Sequence, residues 1–586
     1  MSKTALDFFG AGHAVVAPVN DSAEHDLEAQ VFLHSDELQE RLPSKIAVFR
    51  PDISGPRVDA HICPVMLENG HWVVLVTPQY QQNDLVQEVQ NQCRRASKHS
   101  AEPSVYVVSA SLLMSMRGAN EEENGVNRSQ EEVTLYKASF AEIITWAVRN
   151  GASDVHFNVE EKLQTSPIRF HIDGLYVRPQ RWEMPTKEMM NVLQVAWQDG
   201  KGGGSPIFSS RIEQQCQIEQ IVDSTLITGR WATLAADRGA SVTIRLLKTD
   251  EETVSKPMNE LGYLPSQLDQ FDRAQNCEGG LLVLAGVVNS GKSTTLASVI
   301  DGIPDDRKII TMEDPVEYRM QRAIQNTVSR KLEGGDDDVF DSKLMVIKRS
   351  AVNDVMFGEV RDRAGGKAVT ELQGAGIKCY TTVHAASALH IPQRLASENI
   401  RMTLDVLSSP RTLNLLVYQA LLRTVCPHCR LSIADYEAEG GLDGKGIHQN
   451  KEFWKEYNGR ISSLYEVDTN NVRLRNPDGC DKCKRPEIPA LNGYKGRTVV
   501  SEMLEPNTDR NLLRYIKDND FLGMQLYLDN LERAPMNNPN MDNKSIMECA
   551  VYKMLAGEID PLVVESRTMS FKTAELMKKQ HLSRKS

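Results

Sequence analysis

The sequence predicts an α/β protein of several domains, built around a parallel sheet flanked by helices. Three observations carry that prediction. Between Pro257 and Leu422 strand-like apolar runs alternate with helical ones, the pattern of a parallel sheet joined by crossovers. Inside that segment, Gly286-Val-Val-Asn-Ser-Gly-Lys-Ser293 stands between an apolar strand, Leu281–Ala285, and a helical run that begins at Thr294. Beyond Cys426 the chain turns loop-rich and carries two Cys-x-x-Cys pairs, Cys426 with Cys429 and Cys480 with Cys483.

Composition sets the bounds. The 586 residues leave room for roughly four domains at about 150 residues each. With 41% hydrophobic and 25% charged residues the chain can bury several cores, which excludes wholesale disorder. A net charge of −12 disfavours nucleic acid as a partner, because phosphate neutralisation requires basic patches. The longest apolar run, Leu281–Val288, is less than half of the roughly 20 residues that cross a bilayer. No basic start followed by an apolar stretch precedes the first domain, so a cytoplasmic location with reduced or metal-bound cysteines is expected.

Taken in order, residues 1–117 read as an α/β domain. His71–Pro78 and Ser104–Ser111 are strand-like, and Asn83–Ser97 is an amphipathic helix between them. Residues 118–135, with the acidic cluster Glu121, Glu122 and Glu123, hold too little apolar surface to offset ordering and read as a solvated linker. Residues 136–255 open with a helix over Ser139–Arg149, closed by Gly151. A hairpin follows, with its turn at Asp173-Gly174. The stretch Gly200–Pro206 is glycine-rich but lacks a Gly-Lys-Ser ending, and reads as a surface loop. Residues 256–425 form the parallel-sheet core, 426–504 the cysteine module, and 505–586 a helical region.

The glycine run is a phosphate loop in its proper strand–turn–helix setting. Gly286, Asn289, Ser290, Gly291, Lys292, Ser293 and Thr294 supply inward-facing backbone N–H groups, a cation for the β- and γ-phosphates, and a hydroxyl at Ser293 for Mg²⁺. That chemistry predicts nucleoside triphosphate binding. Two further strands end in acids. Lys308–Tyr318 stops at Pro315 and leaves Glu313, Asp314 and Glu317 at its tip, and Asp354–Phe357 leads to Glu359. Ligands of doubly wound sheets sit beyond the strands' carboxyl ends, so these acids either face the γ-phosphate or are merely solvated. His384 follows a third strand, where a lone histidine is more often structural than functional. Four cysteines in two knuckles suit structural Zn²⁺, with a redox dithiol as the alternative.

The phosphate loop, Thr311-Met-Glu-Asp-Pro-Val-Glu-Tyr318, Phe357-Gly-Glu-Val-Arg-Asp362 and Thr381-Thr-Val-His-Ala385 occur in this order. Together they resemble the four boxes of the type II secretion and type IV pilus assembly ATPases. Gly151-Ala-Ser-Asp-Val-His-Phe157, Ile168–Gly174 and Gly493-Tyr-Lys-Gly-Arg497 through Glu502 resemble the same family, so the likeness runs from about Phe140 to Leu504. It implies a RecA-like ATPase core preceded by a PAS-like α+β domain, an N-terminal partner-binding domain and a C-terminal tetracysteine zinc module. It implies that Glu313, with Glu317 as second candidate, positions or activates water. Glu359 would be the Walker B acid acting through Mg²⁺, and His384 would sense the γ-phosphate. Arg230 and Arg245 would be the arginine fingers.

The resemblance further implies a homo-hexamer that hydrolyses ATP at the inner membrane. It would work with a platform protein and a scaffold component to assemble a pilus or pseudopilus. Extension-type members carry the tetracysteine module and retraction-type members typically lack it. A retraction or type IV secretion ATPase is the nearest alternative, and an ATP-binding zinc protein acting on nucleic acid a remote one. Three features depart from the family pattern: Asn353-Asp354 stands where Asp-Pro-Asp usually precedes the Walker B strand, Gly376-Ile377 stands where Gly-His opens the histidine box, and no Pro-Gln-Asp-Gly motif is recognisable around Gln214 to Asp223.

Overall fold

The computed structural model describes residues 31–33, 35–49, 61–97, 102–118, 130–202, 205, 207–248, 255–328 and 337–585. The chain divides into two compact units, Met1–Leu135 and Tyr136–Ser586.

The first unit is a four-stranded sheet in the order β1 (Ile46–Phe49), β2 (Ile62–Leu67), β3 (Trp72–Val76), β4 (Ser104–Val107). Its strands alternate side chains between two apolar layers. Trp72, Val74 and Val76 meet Val86, Val89 and Cys93 of the helix Asp84–Ala96, whereas Val73 and Leu75 meet Leu38, Leu112 and Leu113. The run expected to be strand through Ser111 ends at Val107 and turns helical at Ala110. Residues 119–129 of the expected linker lie outside the described residues. From Gln130 the chain is one helix to Arg149, which moves its start nine positions ahead of the expected Ser139. Tyr136, Phe140, Ile143, Ile144 and Ala147 recur at helical spacing and are all buried, and the polar stretch before Ser139 merely extends their scaffold.

The second unit opens with an antiparallel sheet of β5 (Ala152–Asn158), β6 (Thr165–Ile172), β7 (Leu175–Val177), β8 (Glu183–Pro185), β9 (Gln214–Val222), β10 (Thr225–Leu234) and β11 (Ser241–Lys248). The spatial order is β7-β6-β5-β11-β10-β9, with β8 on β6. The helices Gln130–Arg149 and Thr186–Gln198 cover one face, where Phe140 stacks on Phe157, and Trp146 and Trp197 meet Phe170 and Trp231. Asp173 (φ 48°) and Gly174 (φ 76°) are both left-handed, the two-residue turn the sequence predicts between β6 and β7. Of the glycine-rich loop, Gly203, Gly204 and Pro206 lie outside the described residues.

The core sheet comprises β12 (Leu281–Ala285), β13 (Ile309–Glu313), β14 (Ala323–Thr327), β15 (Asp354–Phe357), β16 (Lys378–Val383) and β17 (Leu413–Val425). After two short pairs, β18 (Leu431–Ser432) with β21 (Arg473–Leu474) and β19 (Gly441–Leu442) with β20 (His448–Gln449), the chain returns as β22 (Tyr494–Leu504). The order is β14-β13-β15-β16-β12-β17-β22, parallel except for β22. β12 lies inside the sheet and is buried on both faces, which explains its uninterrupted apolar run.

Two of the expected borders are redrawn. Strand β22 belongs to the core sheet through its ladder with β17, not to the cysteine module at 426–504. The region 505–586 divides as well. Leu512, Ile516 and Met524 join the core of the sheet, whereas Met547, Val551, Val564 and Phe571 share a core with Trp454, Tyr457 and Val472 of the module. Pairings across such separations leave no local periodicity to read. Among the described residues no helix is long and apolar enough to cross a membrane.

Candidate functional site

The loop after β12 is built for close backbone approach. Gly286 (φ 155°), Asn289 (φ 62°) and Gly291 (φ 84°) take conformations that L side chains rarely adopt. A Cβ on Gly286 would stand 2.4 Å from the Gln419 carbonyl oxygen. The helix Lys292–Asp301 starts here, aiming its N-terminus into the loop. Gln419 on β17, fully buried, donates from Nε2 to the Ser290 carbonyl at 2.9 Å. It accepts from the Tyr263 hydroxyl at 2.6 Å, which fixes the loop from behind. Lys292 Nζ donates to the carbonyls of Gly286 (2.9 Å) and Val287 (3.1 Å). Burial lowers the proton affinity of Lys292, and the attraction of Glu359 and Glu317 acts against it.

This loop forms one wall of a cleft of about 790 Å³, within the usual range for small-molecule sites. Asn289, Ser290, Gly291, Lys292, Ser293, Thr294, Glu313, Glu317, Glu359, His384, Arg230 and Arg245 all line it. Gly286 lies behind it, its carbonyl holding Lys292. The topology explains the convergence: β13, β15 and β16 run parallel to β12, so Glu313, Glu359 and His384 emerge at the same edge as the loop.

The acids differ in setting. Glu313 is buried, and its Oε1 accepts from Thr311 Oγ1 (2.6 Å) and Gln325 Nε2 (3.0 Å). Burial nonetheless pushes its carboxyl above the ordinary range, against those two bonds. Glu359 Oε1 lies 3.5 Å from His384 Nε2, joining the tips of β15 and β16. Glu317 stands 4.0 Å from Arg230 Nη1, and Arg230 Nη2 donates to the Asp314 carbonyl at 2.7 Å. The Asp314 carboxylate pairs with Arg361 at 2.6 Å.

Sequence reasoning left Asp154 without a role, although it lies within the quoted Gly151–Phe157 stretch. Its side chain is 4% exposed, and Oδ1 accepts from Arg245 Nε at 3.0 Å. Oδ2 accepts from Asn289 Nδ2 at 3.0 Å. One carboxylate thus holds both an arginine of the antiparallel sheet and the tip of the phosphate loop. Burial works to raise its proton affinity, but Arg245, Ser153 and Asn289 outweigh that and hold it below the ordinary value. Gln325 and Gln419 were missed too, and neither has a distinguishing neighbourhood in the sequence.

The four cysteines converge elsewhere. Their Sγ atoms lie within 4.8 Å of one another, with Cys426–Cys480 at 3.9 Å, Cys429–Cys483 at 3.5 Å and Cys480–Cys483 at 3.8 Å. A tetrahedral ion with bonds of about 2.3 Å requires edges of roughly 3.8 Å, so the set fits Zn²⁺. The Cys480 backbone N–H donates to Cys483 Sγ at 3.3 Å, a bond that favours thiolate. Although burial opposes it, this bond and the neighbouring thiols lower Cys483 to about 7.

A phosphate loop on an α/β core, with strand-tip acids and arginines of an antiparallel sheet around one cleft, defines the class of phosphate-loop nucleotide sites. A family model described as Type II/IV secretion system protein matches residues 129–532, and the chain belongs to that family, the secretion and pilus assembly ATPases. Type II secretion system protein E of Dickeya dadantii is 28% identical over 366 residues, covering 62% of this chain and 64% of that one. Type II secretion system ATPase E of Vibrio cholerae is 28% identical over 362 residues, covering 61% and 63%. The type IV pilus assembly ATPase PilB of Thermus thermophilus is 26% identical over 364 residues, covering 62% and 36%. The match therefore spans less than two thirds of these relatives' length. Among solved structures, the pilus retraction motor PilT with bound ADP superposes with a TM-score of 0.41 at 18% identity, covering 74% of this chain and 98% of that one. The Legionella pneumophila ATPase DotB gives 0.45 at 16% identity, covering 76% and 97%.

Proposed function

We propose that this chain hydrolyses ATP as the cytoplasmic motor of a type II secretion or type IV pilus assembly machine, acting as a homo-hexamer on an inner-membrane platform protein. The observation that carries the reading is the single cleft where the phosphate loop, two sets of strand-tip acids and two arginines of a different sheet converge. In this reading Lys292 and the loop N–H groups hold the β- and γ-phosphates, and Ser293 with Glu359 serves Mg²⁺. Glu313, whose proton affinity burial raises, takes a proton from the attacking water, with Glu317 beside it. His384 reports the γ-phosphate to Glu359. Arg230 and Arg245 stabilise charge developing on the transferred phosphoryl group, an effect of about 10³ to 10⁵ in other phosphate-loop enzymes.

Cys426, Cys429, Cys480 and Cys483 would hold Zn²⁺, which when bound supplies a structural cross-link and no step of hydrolysis. The set supports an assembly motor over a retraction motor. The N-terminal unit would bind a scaffold component of the machine, giving peripheral membrane association through partners.

The decisive experiment measures ATP turnover with and without the platform protein's cytoplasmic domain, alongside oligomer mass by light scattering. Stimulated turnover by a six-chain ring supports the proposal, and a monomer with unstimulated or absent turnover removes it.

A further inference from the structure

The turn between β6 and β7 is gripped by four arginines from distant parts of the chain. Asp173 accepts from Arg485 Nη2 at 3.2 Å and lies 3.4 Å from Arg497 Nε. Its carbonyl accepts from Arg423 Nη1 at 3.3 Å, and the Gly174 carbonyl accepts from Arg567. Arg423 is on β17, Arg497 on β22 and Arg567 at the end of the helix Pro561–Arg567. Arg485 follows the zinc-type knuckle, two positions after Cys483. Two positions further, Glu487 stands 3.5 Å from Arg181, a 6%-exposed side chain that also holds Glu142 at 2.6 Å. Residues 484–488 therefore touch the antiparallel sheet domain at two points.

Among the described residues the Asp173 carboxylate is the one that ion-pairs with these arginines, and the buried Nε of Arg423 and Nη1 of Arg485 have no acceptor. Removing one carboxylate there leaves several guanidiniums repelling one another. The turn is also rigidly tied to the cleft. β6 pairs with β5, β5 with β11 and β11 with β10, which carry Arg245 and Arg230 respectively on the last two strands. A displacement of the turn is thereby passed through paired strands to the two that carry these arginines.

We infer that Asp173 is a positioning residue for hydrolysis: held by Arg423, Arg485, Arg497 and Arg567, it sets the angle at which the sheet presents Arg230 and Arg245 to the nucleotide. The loop 484–488 is the strut through which the cysteine module fixes that angle. This inference rests on the reading of the two arginines as transition-state groups.

The test uses the full-length chain. Asp173→Asn should lower kcat about tenfold while KM for ATP stays within about twofold, because the phosphate loop is untouched. Amides of Leu175–Val177 should exchange faster, and Asp173→Glu should restore most of the rate. Arg485→Gln should reproduce the defect, with the double variant little worse than either single one, as expected of one shared contact. Cys480→Ser should speed exchange at the same amides. Wild-type kcat and wild-type exchange in Asp173→Asn would overturn the inference, as would additive losses in the double variant. Unchanged exchange in Cys480→Ser would overturn the strut. Should the hydrolytic reading itself fail, Arg245→Ala will leave turnover unaffected, yet exchange at the turn still decides whether Asp173 holds it.

Discussion

At the residue scale, a few buried or strained groups concentrate the consequences. Lys292→Ala should abolish ATP turnover while circular dichroism and melting stay near wild type, since its bonds are to two loop carbonyls that water can satisfy. Glu313 makes a prediction about pH. A carboxyl held above its ordinary 4.5 favours folding most when protonated, so its contribution is favourable below that value and is lost as pH rises through the raised one. Glu313→Gln should flatten that part of the stability profile, measured by denaturant melts from pH 4 to 8, and cut turnover by about 10² to 10⁴. Arg245→Ala should slow hydrolysis far more than it weakens nucleotide binding, measured by single-turnover rates against nucleotide titration. It also strands the buried Asp154, so a stability loss of about 1–3 kcal/mol should accompany it.

At the element scale, local pattern and local structure agree best where one segment carries the whole signal. The phosphate loop, the acidic strand tips and the two knuckles were legible because each is a contiguous run whose chemistry needs those residue types in that order. The Asp154–Asn289 bond was not, because it joins residues 135 positions apart and each alone is an ordinary polar side chain. The start of the Gln130–Arg149 helix was misplaced for a related reason. Its first turns are polar, and propensity there is weak until Tyr136 and Phe140 find their partners. Gly286→Ala tests the loop as a unit. Its Cβ would meet a β17 carbonyl and its φ would be strained, so nucleotide affinity should fall by at least about tenfold in fluorescence titration. Cys480→Ser should eliminate bound zinc by metal analysis and destabilise the module by about 3 kcal/mol or more.

At the scale of the whole molecule, the domains exchange more material than a linear reading suggests. Residue order alone gave no sign that Tyr494–Leu504 leaves the cysteine module for the core sheet, or that the last helices divide between two cores. Burial explains the outcome. β17 would otherwise be a sheet edge, and β22 closes it, while Met547 and Val551 join the core that Trp454 and its neighbours share with both strands. These shared cores link nucleotide cleft, cysteine module and C-terminal helices into one mechanical body. In the ring proposed above, each protomer would transmit displacement through packed apolar surface as well as through the arginines.

The ladder between β17 and β22 ends where Val425 faces Tyr494, so everything from Cys426 to Gly493 is topologically the turn of a single hairpin. An excursion of that kind can be spliced out without rethreading the sheet, and a relative lacking it needs no change of strand order. The obstacle to such surgery is coverage: Phe571, which now packs against Tyr457 and Tyr465 of the excursion, would face water and need a polar replacement in the same stroke.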